Sequence, residues 1–237
     1  MPFRKLSIEK KNRVGYLLLN DGARFNKLSV TAIREMKHAL EKLEEDADLS
    51  VIVISGHPGD SFAVGADISQ MQNFTQKEAF EFSRLGQSLF ELVESSSKPV
   101  IAAINGVAMG GGCDLALACD IRLASRKAVI AHPGAKLGII TGFCGTQKLP
   151  RLVGKNIARE MFMTCSAIDA AEAFRTGMVN RVYEVSEFWP EVEAFAEKIA
   201  KHDCNALAAA KTALNIAEET DLKTGCIMET ASAVRLR

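Results

Sequence analysis

The sequence predicts an α/β fold, and three observations carry that expectation. Short apolar runs of β type alternate with amphipathic helical patterns through roughly the first 130 residues, as strands layered with helices do. Two apolar stretches end in glycine turns that lead toward helices, one at Gly65-Ala66-Asp67 and one at Gly110-Gly111-Gly112. After Thr141 the pattern turns mostly helical, and residues 187–237 form an amphipathic helical block, which suits a lid, a packing shell or an oligomer surface.

Taken in order, residues 4–10 and 13–19 read as a hairpin turning at Lys11-Asn12. Val30, Ile33, Met36, Leu40 and Leu43 recur at helical spacing with charges between them, so residues 29–46 form an amphipathic helix. The run SVIVIS at 50–55 is a short buried strand. A second helix fits 76–94, with Phe80, Leu85, Leu89 and Leu92 on one side, and Lys98-Pro99 breaks it. Residues 100–104 are again of β type, 121–124 and 128–131 are short strands, and a last strand lies near 179–185.

Composition excludes several classes of function. Lys+Arg and Asp+Glu both number 29, for a net charge of zero, and a nucleic-acid footprint needs a basic excess or stripe. The apolar runs fall far short of a membrane span. Lys, Arg and Glu interrupt the N-terminal MPFRKLSIEKKNRVGYLLLN, which leaves no signal-peptide core. The expectation is a cytoplasmic chain with no nucleic-acid or membrane partner. No pair among the six cysteines makes a C-x-x-C, so neither a metal site nor a disulfide framework is expected. Cys113, Cys119 and Cys165 read as small buried hydrophobes.

The chemistry sits in the glycine turns. Glycines permit positive φ and remove Cβ atoms, so a ligand can come against the main chain. The first N–H groups of the following helix lack intrahelical partners and, with the helix dipole, favour negative charge. Phosphate loops fail on spacing. Gly106 and Gly111 have the Walker interval, but Gly112-Cys113 stand where Lys-Ser/Thr is needed; Gly110 and Gly112 suit a dinucleotide turn, but the third glycine is Leu115. Plain helix-on-strand packing would also use such a turn. Two separate turns, each offering an N–H, are what an oxyanion hole requires. No G-x-S-x-G elbow accompanies them, so the pattern points to proton chemistry beside a polarised carbonyl.

Five stretches, in this order, give the chain a resemblance to the crotonase (enoyl-CoA hydratase/isomerase) superfamily over nearly its whole length: NDGARFNKLS, FAVGADISQM, KPVIAAINGVAMGGGCDLALACDIRLAS, HPGAKLGIITGFCGTQKLPRLVG and AAEAFRTGMVNRV. The resemblance implies a spiral of repeated ββα units over residues 1–186 and a helical region over 187–237 that builds homotrimers or hexamers. It implies an acyl-CoA thioester substrate and no cofactor beyond the coenzyme A of that substrate. The thioester oxygen would lie between the N–H groups of Ala66 and Gly111. Arg24, Ala66, Asp67, Ile68 and Gly111 would border the CoA moiety. Many relatives have Lys where Ser69 stands, so one phosphate contact is expected to be missing.

The resemblance also marks departures. Family hydratases carry two catalytic glutamates; the first aligns with Asp114 and the second with Gly134, twenty residues on. The family's dienoyl-CoA isomerases place Asp at the first position and a further acid where Gly142 stands. Hydration needs water activated at the β-carbon and a proton delivered to the α-carbon, and losing one general acid–base group costs about 10²–10⁴-fold. A double-bond shift can run on one base. Asp114 is therefore expected to be catalytic, with isomerisation or a related enolate reaction favoured over hydration. The alternative for Asp114 is a first-turn acid that stabilises its helix. His132 could face the same cavity, although a histidine beside an apolar strand is more often structural. Asp67 is expected to shape its turn, and Asp120 to be structural; His38, His57 and His202 carry no signal. Relatives usually continue well beyond the position of Val234 and close the acyl pocket with a last helix, whereas this sequence stops at Arg235-Leu236-Arg237. Two rival classes remain. One is a catalytically degenerate acyl-CoA-binding or scaffold protein, told apart by turnover that depends on Asp114. The other is an RNA-binding protein on this fold, which neutral charge disfavours and the salt dependence of binding would test.

Overall fold

The computed structural model describes residues 3–22, 24–217 and 219–236; Ala23 of the first quoted stretch, Glu218 and Arg237 of the C-terminal block lie outside them. The hairpin turns one residue later than expected. Strands β1 (Leu6–Lys11) and β2 (Val14–Leu19) are joined by Asn12 and Arg13, both at positive φ, the backbone that a two-residue turn between twisted strands demands. Helix α1 (Val30–Glu45) starts at Ser29, whose hydroxyl accepts from the Ala32 N–H at 3.2 Å, and it buries Ile33, Met36, Leu40 and Leu43.

Three ββα turns follow. The first comprises β3 (Val51–Ser55), β4 (Ser61–Ala63), the short α2 (Ile68–Met71) and α3 (Gln76–Ser95). The second is β5 (Val100–Ile104), β6 (Val107–Met109) and α4 (Gly111–Ala118). In the third, β7 (Ile121–Ser125) and β8 (Val129–Ala131) lead through a 3-10 turn at Pro133–Leu137 to α5 (Gly145–Val153). The chain closes with α6 (Lys155–Thr164), β9 (Ile168–Asp169), α7 (Ala170–Arg175), β10 (Arg181–Tyr183), α8 (Phe188–Ala200), α9 (Cys204–Ala217) and α10 (Leu222–Arg235). Strands β4, β6 and β9 are only two or three residues long, too short to show a period in the sequence.

One expectation for α3 is corrected. Its buried stripe is Phe82, Gly86, Leu89, Phe90 and Val93, while Phe80 is exposed. At about 100° per residue, Phe80 lies on nearly the opposite side of the helix from Phe82. Thr75 and Glu78 close a capping box at its start.

The first strand of each turn joins one six-stranded sheet, ordered β1-β2-β3-β5-β7-β10 and parallel from β2 onward. The second strands form another sheet, β4-β6-β8-β9, parallel but for β9. Both faces of the larger sheet's central strands β2, β3, β5 and β7 are buried, which is why these read as largely apolar runs. Leu17, Ile52, Ile54 and Ala102 face α1 and α3; Tyr16, Leu18, Val53 and Ile101 face Phe188, Val192 and Ala196 of α8.

In the smaller sheet Ala63 lies opposite Ala108, and Met109 opposite Ala131. This register brings the C-terminal ends of β4, β6 and β8 side by side. Residues from three successive turns of the spiral thereby reach one place.

The last helices differ in how they are held. On α9, Lys211 inserts its ammonium beside Asp120 at 2.9 Å and donates to the Val93 carbonyl at 2.9 Å. Helix α10 packs on α9 and leaves Leu222, Ile227, Met228 and Val234 exposed. Among the described residues no helix is long and apolar enough to cross a membrane, and no cluster of three metal-ligating side chains occurs.

Candidate active site

A cavity of about 1140 Å³ opens at the ends of β4, β6 and β8, with Ala66, Gly111, His132, Gly134 and Thr141 in its wall. One side of it is backbone. Gly110 adopts φ 51° and donates its N–H to Ala131 at 2.9 Å, which ties the end of β6 to β8. A Cβ on Gly112 would stand 1.9 Å from the Ala63 carbonyl, so the first turn of α4 can press against β4 only as glycine. This packing sets Gly111 at the first position of α4, where its N–H has no intrahelical acceptor. The facing turn is held by Leu28, which donates to the Gly65 carbonyl at 2.8 Å, and by Val64, which donates to Asn26 at 2.8 Å. Among the described residues no protein acceptor takes the N–H of Ala66 or of Gly111.

The other side is built from buried side chains. Asp114, on the first turn of α4, is 0% exposed and does not line the cavity. The Thr141 hydroxyl donates to its Oδ2 and itself accepts from the Phe143 N–H at 3.1 Å. Oδ1 lies 3.2 Å from Nε2 of His132. Both atoms are sealed from solvent, and at this separation neither meets full hydrogen-bond geometry with any described group. They face each other, with Cys113 also beside the ring. His132 is 2% exposed, stands at the end of β8 and stacks on Phe162 with ring centroids 4.3 Å apart. Gly145, the first residue of α5, closes the far side: a Cβ there would fall 1.9 Å from Oδ1.

The titration of the pair follows from this packing. Burial pushes the Asp114 carboxyl up, against the opposing pull of His132 and Thr141. Burial alone would lower the His132 ring, but Cys113 and Asp114 beside it prevail and lift it to about 10. Each charged form is costly in a dry site unless the other answers it, so the two groups titrate as a unit that retains a proton at neutral pH.

The expected site residues are thus divided. Ala66, Ile68 and Gly111 line the cavity, and Gly134 and Gly142 line it without a side chain. Asp114 lies behind the wall. Arg24 and Asp67 are outside the wall: the Arg24 guanidinium sits 5.1 Å over the Phe25 ring, and Asp67 caps α2, accepting from the Ser69 N–H at 3.2 Å and its hydroxyl at 2.7 Å. Those bonds, with Lys27, hold the Asp67 carboxyl below the usual carboxylate range. Asp120 accepts from the Val100 N–H at 2.6 Å, a structural part as expected. Thr141 and Gly145 escaped the sequence reading. Neither belongs to a spacing pattern; each matters only because the segment after the 3-10 turn folds back over α4.

Comparison with known proteins agrees with this architecture. A family model described as enoyl-CoA hydratase/isomerase matches residues 9–234. The chain is 40% identical to a crotonyl-CoA hydratase of Syntrophomonas wolfei over 229 residues, covering 97% of this chain and 88% of that protein. It is 37% identical to a short-chain-enoyl-CoA hydratase of Clostridium acetobutylicum over the same shares of each. Among solved structures, an enoyl-CoA hydratase from Bacillus anthracis superposes with a TM-score of 0.93 at 34% identity, covering 97% of this chain and 89% of that one. Pseudomonas aeruginosa DspI superposes with a TM-score of 0.93 at 32% identity, covering 98% and 88%. The chain belongs to the enoyl-CoA hydratase/isomerase family of the crotonase superfamily.

Proposed function

We propose that the cavity takes the acyl group of a CoA thioester, with the carbonyl oxygen between the N–H groups of Ala66 and Gly111, and that the protein needs no cofactor beyond the substrate's own CoA. The observation that carries this reading is the pair of unpaired N–H groups from separate turns at one cavity wall. Preorganised donors of this kind stabilise a carbonyl oxygen most when it gains charge, as in an enolate. Removing a proton next to the thioester produces that enolate. In a β,γ-unsaturated chain the charge spreads along the double bond, and a proton returned at the far end completes a double-bond shift.

Isomerisation, or a related enolate reaction, is favoured over hydration. The support is that the acid–base groups cluster on one side, at Asp114 and His132, while Gly134 adds no carboxylate. Hydration is the second reading, supported by the names of the similar proteins from S. wolfei and C. acetobutylicum. Parallel assays with crotonyl-CoA and but-3-enoyl-CoA separate them. Faster conversion of the second supports isomerisation; rapid hydration of crotonyl-CoA with no shift of but-3-enoyl-CoA sinks it. The exposed apolar face of α10 supports assembly into trimers or hexamers, and a monomer in sedimentation at micromolar concentration would refute that.

A further inference from the structure

We propose that His132, not Asp114, is the side chain that exchanges a proton with the acyl chain, and that Asp114 is its positioning residue. The inference rests on the enolate reading above and changes which group performs it.

Three observations lead there. Asp114 has no exposed surface and no place in the cavity wall, whereas His132 stands in that wall. To reach a ligand, Asp114 would have to leave Thr141, whose hydroxyl it holds. The carboxylate oxygen that Thr141 leaves free is the one aimed at His132, 3.2 Å from Nε2, and both atoms are otherwise unpartnered and sealed. A carboxylate in that position orients an imidazole: accepting Nε2–H fixes the tautomer and leaves Nδ1 as the working nitrogen. The Phe162 stack holds the plane of the ring. Finally, the Gly110–Ala131 hydrogen bond joins β6 to β8 one residue before each of the two groups concerned, Gly111 and His132. The amide cradle and the imidazole are therefore held in one framework.

The step balances without a further reactant. Once the pair has released to solvent the proton that it holds at neutral pH, Nδ1 of the neutral His132 ring takes a proton from the carbon beside the thioester. The C–H electron pair moves into the carbonyl, and the oxygen gains charge between Ala66 and Gly111. Asp114 stabilises the imidazolium. The same proton then returns to the far carbon of the allylic system, the double bond moves, and the ring is again neutral. The groups that set the charge around the ring are Asp114 and Cys113 of α4. Lys148 of α5 acts on Asp114 while paired with Glu94 of α3; Phe162 of α6 stacks on the ring, and Lys155 and Arg159 of that helix line the same cavity.

The test compares the wild type with His132→Gln, His132→Ala and Asp114→Asn, using but-3-enoyl-CoA isomerisation and solvent deuterium uptake at the α-carbon. His132→Gln should lose about 10²–10⁴-fold in kcat, with KM changed far less. Imidazole should restore part of the His132→Ala activity, which a purely structural role would not allow. Asp114→Asn should keep residual activity whose pH profile is displaced to lower pH, because the ring has lost its carboxylate. If His132→Gln keeps wild-type kcat while Asp114→Asn is inactive, Asp114 works directly and the proposal is overturned. If His132→Gln does not fold, the Asp114→Asn profile decides: an unmoved inflection overturns the proposal. A wild type that binds acyl-CoA but neither exchanges, isomerises nor hydrates it sinks the enolate reading itself, a result distinguishable from the others.

Discussion

The two sides of the cavity are built from different materials. The Ala66–Gly111 side is main chain, fixed by sheet register and close glycine packing. The Asp114–His132–Thr141 side is a set of buried titratable and hydroxyl groups that hold each other in place. Amides keep their dipoles at any ordinary pH and need little from neighbouring side chains. A buried carboxylate and imidazole depend on every atom around them, because an unpaired charge in a dry site is costly. Its glycines aside, the amide side should therefore tolerate most side-chain substitutions nearby, and the side-chain side should fail abruptly.

Gly145→Ala is the harshest way to test that contrast. The new methyl group would lie 1.9 Å from Asp114 Oδ1 and 2.9 Å from the His132 ring. Overpacking of this kind costs about 1–3 kcal/mol, and here it also drives apart the pair that handles the proton. Loss of most turnover, together with a lower urea midpoint at constant m-value, is the expected result. Full activity in Gly145→Ala would mean that the buried pair is not needed for the reaction.

Acidity offers a second probe. The unfolded imidazole titrates near 6.5 and the folded His132 at about 10, so between these values the folded state binds more protons. Stability from this group is complete below about pH 6.5 and falls as pH rises toward about 10. Asp114, also raised, acts in the same direction from a lower starting point. Denaturation midpoints for the wild type should therefore decline across that alkaline window more steeply than those of His132→Gln. Parallel slopes for the two proteins would show that the pair does not hold its proton.

How much of this was legible beforehand follows the same division. The amide side could be read because glycine turns are local: each leaves its mark within a few residues, at Gly65-Ala66-Asp67 and Gly110-Gly111-Gly112. The strand–helix order was legible too, since β3, β5 and β7 are apolar runs and α1 keeps a clear stripe. The side-chain side was not. Asp114, His132, Thr141 and Gly145 meet only through tertiary folding, and no spacing among them reports that Thr141 donates to Asp114 or that the ring faces it. Burial was equally hidden, and it decides which of Asp114 and His132 reaches the cavity.

Gly134→Glu gives a smaller effect. It would add a carboxylate to the cavity wall on the turn after His132, and it should raise crotonyl-CoA hydration measurably. The backbone resists it: a Cβ at 134 would meet the Ile139 carbonyl at 2.8 Å, so the 3-10 turn must shift. The gain should therefore come with a loss of stability of about 1–3 kcal/mol, seen in parallel denaturation curves. No change in hydration by a well-folded variant would argue that a carboxylate at 134 is not what hydration lacks here.

Asp67→Ala should be the mildest change, and it probes the amide side. Asp67 follows Ala66 directly and caps α2 through the Ser69 N–H and hydroxyl. Removing a cap costs about 0.5–2 kcal/mol. The lower end applies here, because α2 is a single turn and its cap is near the surface. Yet the cap also fixes the peptide that presents the Ala66 N–H, so its loss should loosen the cradle before it loosens the fold. The expected result is a rise of a few-fold in KM for acyl-CoA and a smaller fall in kcat, with no displacement of the pH profile set by His132. The acid side supplies an internal control. The Asp67 carboxyl is held below its usual range, so its contribution to stability is present above about pH 3.8 and disappears as pH falls through the lower folded value. Wild type and variant should therefore converge in stability in acid. A loss in kcat as large as that of His132→Gln would show that the backbone cradle, too, depends on a single side chain, and the contrast between the two sides would fall.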